Sequence, residues 1–194
     1  MVEWIRWEMA GRGIDKPIVI SESTPSPFIT HGAATDCNLS PDKMGVMVAP
    51  ARETDRCRLA QYFSNLVQGD EYTERWVHRY VAADLVKKVV IAADHDVMLI
   101  NTASMEDFRA QQKRNFQAAT GNAAWAGMVD LGRKSRRPGF FALNQLAQRL
   151  RHYDDIKRLT VDDPAVVIYQ ITDGDVRSWV AWLEPDTLAL PGDP

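Results

Sequence analysis

Apolar positions in the first hundred residues switch between helical and extended spacing, so the chain predicts alternating helices and strands. Trp4, Ile5 and Met9 recur at helical intervals up to the stop Gly11-Arg12-Gly13. Lys16-Pro17 then opens the unbroken apolar run Ile18-Val19-Ile20, followed by Ser21-Glu22. Such a run predicts a strand covered on both faces, as in a parallel sheet flanked by helices. The strand delivers the carboxylate of Glu22 at its C-terminal end, where sheets of this kind gather ligands and catalytic groups. Two prolines in Ser23-Thr24-Pro25-Ser26-Pro27-Phe28 prevent regular structure from continuing. Residues 23 to 49 therefore predict a long functional loop above Glu22.

Pro50 opens a predicted helix in which Leu59, Tyr62, Phe63, Leu66 and Val67 form one apolar stripe, ending at Gly69-Asp70. A second helix runs from Glu71 with Trp76, Tyr80, Ala83, Val86, Val89 and Val90, and Asp94-His95-Asp96 ends it before the strand Val97 to Ile100. If the two strands are parallel neighbours, their ends share one rim. Asn101, Thr102 and Glu106 follow the second strand on that rim, and His31 lies in the loop after Glu22. Trp125, set among small residues in Gly121 to Gly127, is a candidate ring platform or a packed core side chain. Arg133 to Pro138 predicts a solvated basic turn, since no aromatic residue is interleaved with its charges. Phe140, Leu143, Leu146, Ala147 and Leu150 form a further amphipathic helix. Beyond Tyr153, Val166 to Thr172 and Val176 to Leu183 read as a hairpin turned by Asp173-Gly174-Asp175, and Leu188-Ala189-Leu190 as one more short strand.

Composition narrows the function classes. The 194 residues are 45% apolar and 25% charged, enough to bury a core, and the formal net charge of -3 argues against a nucleic-acid partner. No apolar run approaches the roughly 20 residues of a membrane span, and no signal peptide is visible. Cys37 and Cys57 have no CxxC pair or matched histidines, so a metal site is not expected; a disulfide between them is left open. His78 and His95 sit in or after a helix and fit surface or capping roles.

The order of these segments resembles the C-terminal part of a (β/α)8-barrel glycoside hydrolase of the large superfamily of retaining glycosidases. Trp4-Ile5 through Lys16 to Glu22 looks like the helix before the seventh barrel strand and that strand, Val97 to Asn101 like the eighth. Gly127 to Asp130 with Arg137-Pro138-Gly139-Phe140-Phe141-Ala142-Leu143 is similar to the run between the last strand and helix, and the Trp179-Val180-Ala181-Trp182 hairpin to the small β-domain that often follows. The resemblance implies an α/β fold: a partial TIM barrel over residues 1–157, with a small antiparallel β appendage over 158–194. It implies Glu22 as catalytic nucleophile, with Trp125, Asn101 and His31 as substrate-binding candidates, a carbohydrate substrate, and no cofactor or metal. Retaining hydrolysis needs two carboxyl groups about 5 Å apart. The family's acid/base usually follows an asparagine at the end of the fourth strand, and the sequence contains no Asn-Glu pair. A complete barrel takes about 250 residues, so the chain reads as a piece of an enzyme, inactive when isolated. Two other expectations stand beside it: a noncatalytic carbohydrate- or partner-binding α/β module, and self-association through open sheet edges.

Overall fold

A computed structural model describes residues 2–21, 23, 62, 65, 66, 68–101, 104–107 and 125–184. Within them the chain is a mixed α/β structure with three helices and three small sheets, and no closed barrel. Helix α1 spans Val2–Gly11 and ends on Gly13, whose φ of 64° is open to glycine and strained for other residues. Strand β1, Ile18–Ile20, and strand β2, Val97–Ile100, pair in parallel, with Val19 opposite Leu99 and Ile20 opposite Ile100. Between them runs helix α2, Glu71–Asp94, of 24 residues.

Both ends of α2 are set by the residues the sequence singled out. Before it, Tyr62, Asn65, Leu66 and Gln68 are helical; the amides of Gly69 and Asp70 close on the carbonyls of Leu66 and Asn65, and Gly69 takes a φ of 78°. The Asp70 carboxylate then caps α2, accepting from the Thr73 amide at 2.8 Å and the Thr73 hydroxyl at 2.6 Å. These bonds hold the Asp70 carboxyl below the usual carboxylate range. At the other end the His95 amide donates to Ile91 O, and Asp96 turns the chain with a φ of 50°. Arg6 of α1 donates from Nη2 to His95 O at 2.6 Å and to Asp96 O at 2.9 Å, placing a cation on the negative end of the α2 dipole. His95 has the capping role its position predicted.

The second sheet joins β3, Ser104–Glu106, in parallel to β4, Gly127–Asp130, and β4 in antiparallel fashion to β5, Ser135–Arg136. Helix α3, Pro138–Leu150, starts with proline in its first turn, where a missing amide costs nothing. A Cβ on Gly139 would lie 3.2 Å from Leu85 Cδ1 and 3.8 Å from Val81 Cγ1, so the absent side chain lets α3 close on α2. The third sheet has the order β6-β7-β8, Asp155–Leu159, Val166–Asp173 and Val176–Leu183, all antiparallel. Its hairpin turns on Gly174 at φ 55°, with the Gly174 amide donating to Asp154 Oδ2 at 2.7 Å. Alternate residues Val167, Tyr169 and Ile171 face inward with Ile156, forming one core with Val90 of α2 and Leu146 of α3. Tyr169 stacks on Trp182 with centroids 5.5 Å apart, and burial raises its phenol pKa.

Several expectations change. The third strand of the appendage is β6, which lies before the hairpin and crosses the boundary expected between 157 and 158; Leu188-Ala189-Leu190 lies outside the described residues. Its sequence Asp-Ile-Lys-Arg-Leu buries only Ile156 fully, too weak an alternation to read as a strand. The expected two-sided burial of β1 does not hold, for Val19 and its partner Leu99 are both half exposed. Helix α1 buries none of its residues, and Trp4 and Trp7 are 61% and 70% exposed. Helix α2 packs against β2, while Val19, Met98 and Leu99 of the pair stay half or more exposed.

The shared core predicts a sharp contrast between two leucines. Leu146→Ala should cost about 2–5 kcal/mol through lost transfer energy and a cavity. Leu183→Ala, at an exposed position of β8, should stay within about 0.5 kcal/mol. Urea denaturation of the two variants gives the comparison, and equal losses would contradict a core centred on α2, α3 and the β6–β8 sheet.

Candidate functional site

The parallel pairing brings the ends of β1 and β2 together around Asn101. The Asn101 amide donates to Ile20 O at 3.0 Å, its carbonyl accepts from the Ser23 amide at 2.8 Å, and its Nδ2 donates to Ser21 O at 3.1 Å. Asn101 thus bonds the chain on both sides of position 22. From α2, Lys88 Nζ donates to Ser23 O at 3.4 Å while pairing with Asp84 Oδ2 at 2.9 Å, a residue one turn earlier on the same helix. The rim predicted from the two strand ends is therefore a bonded assembly of Ser21, Ser23, Asn101 and Lys88. Glu22 itself lies outside the described residues, as do His31 and Thr102. Glu106 is an exposed residue of β3.

Trp125 sits just ahead of β4 and is only 1% exposed, with Ala126 also buried. As placed, the ring presents no face to solvent and takes the packing role of the two considered for it. Asn101 is exposed on the rim, and its side-chain Nδ2 donates to the Ser21 carbonyl just past β1.

A second polar cluster was not foreseen. Arg137, at the N-terminus of α3, pairs through Nη1 with Asp107 Oδ2 at 2.5 Å and lies through Nη2 3.6 Å from Asp130 Oδ2. Nη1 also contacts His78 Nε2 of α2. The same Nε2 atom lies 3.8 Å from Asp107 Oδ2. Asp107 Oδ1 accepts the Gly127 amide at 3.0 Å, and a Cβ at Gly127 would overlap the Asp107 main chain. The cluster ties α2, the end of β3, β4 and the start of α3 together.

Two expectations are corrected by it. Arg137 was expected in a solvated turn and His78 on the surface; their side chains are 13% and 12% exposed. The rest of the turn, Arg133, Lys134, Ser135, Arg136 and Pro138, is exposed as expected. Sequence spacing carries no signal for this pairing, because Asp107, His78 and Arg137 meet only after α2 and β4 have packed. The Asp130 carboxyl is held below its usual range, first by the Arg133 amide at 2.9 Å and then by the Arg137 charge. Its stabilising effect is present above the ordinary Asp pKa and is lost as pH falls through the lowered value.

The chain matches no protein-family model, no curated protein and no solved structure. Its functional reading rests on the residues alone. Among the described residues there is no group of three His, Cys, Asp or Glu arranged to hold a metal, and no helix is long and apolar enough to cross a membrane. Cys37 and Cys57 lie outside the described residues.

Arg137→Ala would leave the Asp107 carboxylate buried without its cation, which costs about 3–5 kcal/mol. Arg133→Ala removes a solvent-exposed ion pair with Asp130, worth less than about 1 kcal/mol. Thermal and urea unfolding should separate the two variants clearly, and similar small losses would show that the cluster does not hold the elements together.

Proposed function

We propose that this chain forms the last two β/α units of a (β/α)8-barrel retaining glycoside hydrolase, with Glu22 as nucleophile and the β6–β8 sheet as the start of a following β-domain. One observation carries the reading: the parallel strands β1 and β2 end side by side, and Asn101 at the end of β2 bonds both neighbours of Glu22. Catalytic groups on parallel α/β sheets are presented at this edge. The half-exposed strip of Val19 and Leu99 supports the same reading, since parallel strands are ordinarily covered on both faces and two alone are marginal.

In the proposed reaction an ionised Glu22 carboxylate attacks the anomeric carbon, and a C–O ester bond forms as the bond to the leaving oxygen breaks. A second carboxyl group protonates that oxygen, then removes a proton from the water that cleaves the ester. The two displacements together retain the anomeric configuration. The acid/base group belongs to barrel strands beyond the two present here, so the isolated chain lacks half of the catalytic pair.

The isolated chain is expected to show no turnover of activated aryl glycosides. The enzyme that carries the additional strands should hydrolyse them, and Glu22→Gln should lower kcat by roughly a thousandfold or more, as expected for loss of a nucleophile. Azide should restore turnover to Glu22→Ala by attacking in place of the carboxylate, giving a glycosyl azide of inverted configuration. Full activity in Glu22→Gln would refute the assignment.

The open strip carries a separate expectation for the isolated chain. Unpaired strand edges beside exposed apolar residues are templates for pairing with another chain, so it should self-associate at low micromolar concentration. A clean monomer by sedimentation velocity would count against an uncovered β1–β2 pair.

A further inference from the structure

The two outer strands of the β6–β8 sheet differ in character. Strand β6 carries Asp155, Lys157 and Arg158 among its five residues, and charges of this kind keep a sheet edge from pairing with another chain. Strand β8 has eight residues, of which only Arg177 is charged. Along it Val176, Trp179 and Leu183 stand 56%, 59% and 64% exposed. Half of an edge strand's main-chain donors and acceptors turn away from the sheet. Among the described residues no strand pairs with β8 on that side.

A groove of about 460 Å³ follows this edge. Helix α3 lines it through Ala142, Gln145 and Arg149, and β8 through the consecutive residues Ser178 to Ala181, with Val86 of α2 adding to the lining. Successive strand residues point to opposite faces, so four in a row line one cavity only where it runs beside the main chain at the strand's edge. They extend over roughly 10 Å of strand. The lining holds one cation, Arg149, and no carboxylate.

We propose that the edge of β8 and the facing side of α3 form a docking groove for an extended acidic peptide of a partner protein, which adds to the sheet as a further strand. Main-chain hydrogen bonds to β8 supply affinity, and alternate side chains supply specificity. Ser178 and Val180 pair with the buried Ile171 and Tyr169, so they mark the inward face. Side chains of the added strand on that face enter the groove against Val86 and Ala142, which favours apolar residues there. Those on the other face lie beside Trp179, which pairs with Gln170. A carboxylate of the peptide answers Arg149. A second copy of β8 does not suit the groove, because Val176–Leu183 contains no carboxylate and brings a further cation, Arg177. The proposal is independent of Glu22 and of the barrel assignment.

The test is a titration of the 15N-labelled 194-residue chain with short synthetic peptides that alternate valine and threonine around one glutamate. The amides of residues 178–181 should shift, and those of β8 that face the edge should gain protection from hydrogen exchange. Replacing the glutamate by lysine should weaken binding about tenfold, as an ion pair becomes a repulsion, and Arg149→Glu should reverse that preference. N-methylation of the peptide nitrogens that face β8 leaves the side chains in place and should weaken binding by about tenfold or more through lost main-chain bonds. Equal binding of the N-methylated peptide would overturn strand addition, and equal binding of the glutamate and lysine peptides would overturn the role of Arg149. Shifts confined to Val19 and Leu99, or no binding at millimolar peptide, would refute the groove altogether. So would protection of the β8 edge that rises with protein concentration in the free chain, since it marks a second copy as the occupant.

Discussion

Every element near the candidate site depends on the burial of one long helix. Thr73, Val77, Val81, Leu85, Val90 and Ala92 of α2 are buried, and different neighbours claim successive turns of that face. Near its start, His78 meets Arg137. In its middle, Leu85 and Val81 accept the N-terminus of α3 at Gly139. Toward its end, Val90 enters the core of the β6–β8 sheet, and the next residues lead into β2. The same helix carries Asp84 and Lys88 to Ser23. Disturbing α2 would therefore loosen the strand ends and both smaller sheets together.

The energetics divide into two kinds. The α2–α3–β7 core is held by apolar burial, at roughly 25 cal/mol for each Å² removed from water. The Arg137 cluster is different, because a buried ion pair adds little net stability when intact and costs much when broken. Its effect is to select one arrangement of β4 against α2, with the Asp107 bond to Gly127 setting the register at the start of β4. The rim around Asn101 has neither kind of support in quantity. It rests on a few hydrogen bonds, of which the one from Asn101 Nδ2 to Ser21 O is exposed.

Local signals were legible in the sequence, and signals that need a partner were not. Asp70, Gly69 and Asp94-His95-Asp96 mark the ends of α2 because capping and positive φ act within a few residues. Gly174 marked the hairpin for the same reason. Pairing of β1 with β2 followed from a strand, a helix and a strand in order. Arg137 and His78 were misplaced because their burial is decided by packing between elements far apart in sequence. Val19 was expected inside because apolar runs usually are, yet its exposure depends on what covers the sheet rather than on the run itself. Trp125 was poised between two roles by composition, and only the packing around Ala126 assigns it to the interior. Asn101 was legible as a rim residue, but the geometry gives its amide to the main chain.

In the proposed function, β1 and β2 would be the closing strands of a larger barrel whose other strands hold the second carboxyl group. The most direct measurement is to sequence the DNA upstream of the Met1 codon and read it in frame. An open frame encoding further alternating strands and helices, with an Asn-Glu pair at a strand end, is the predicted result. A stop codon immediately upstream would contradict it, leaving Glu22 without the partner that retaining hydrolysis requires.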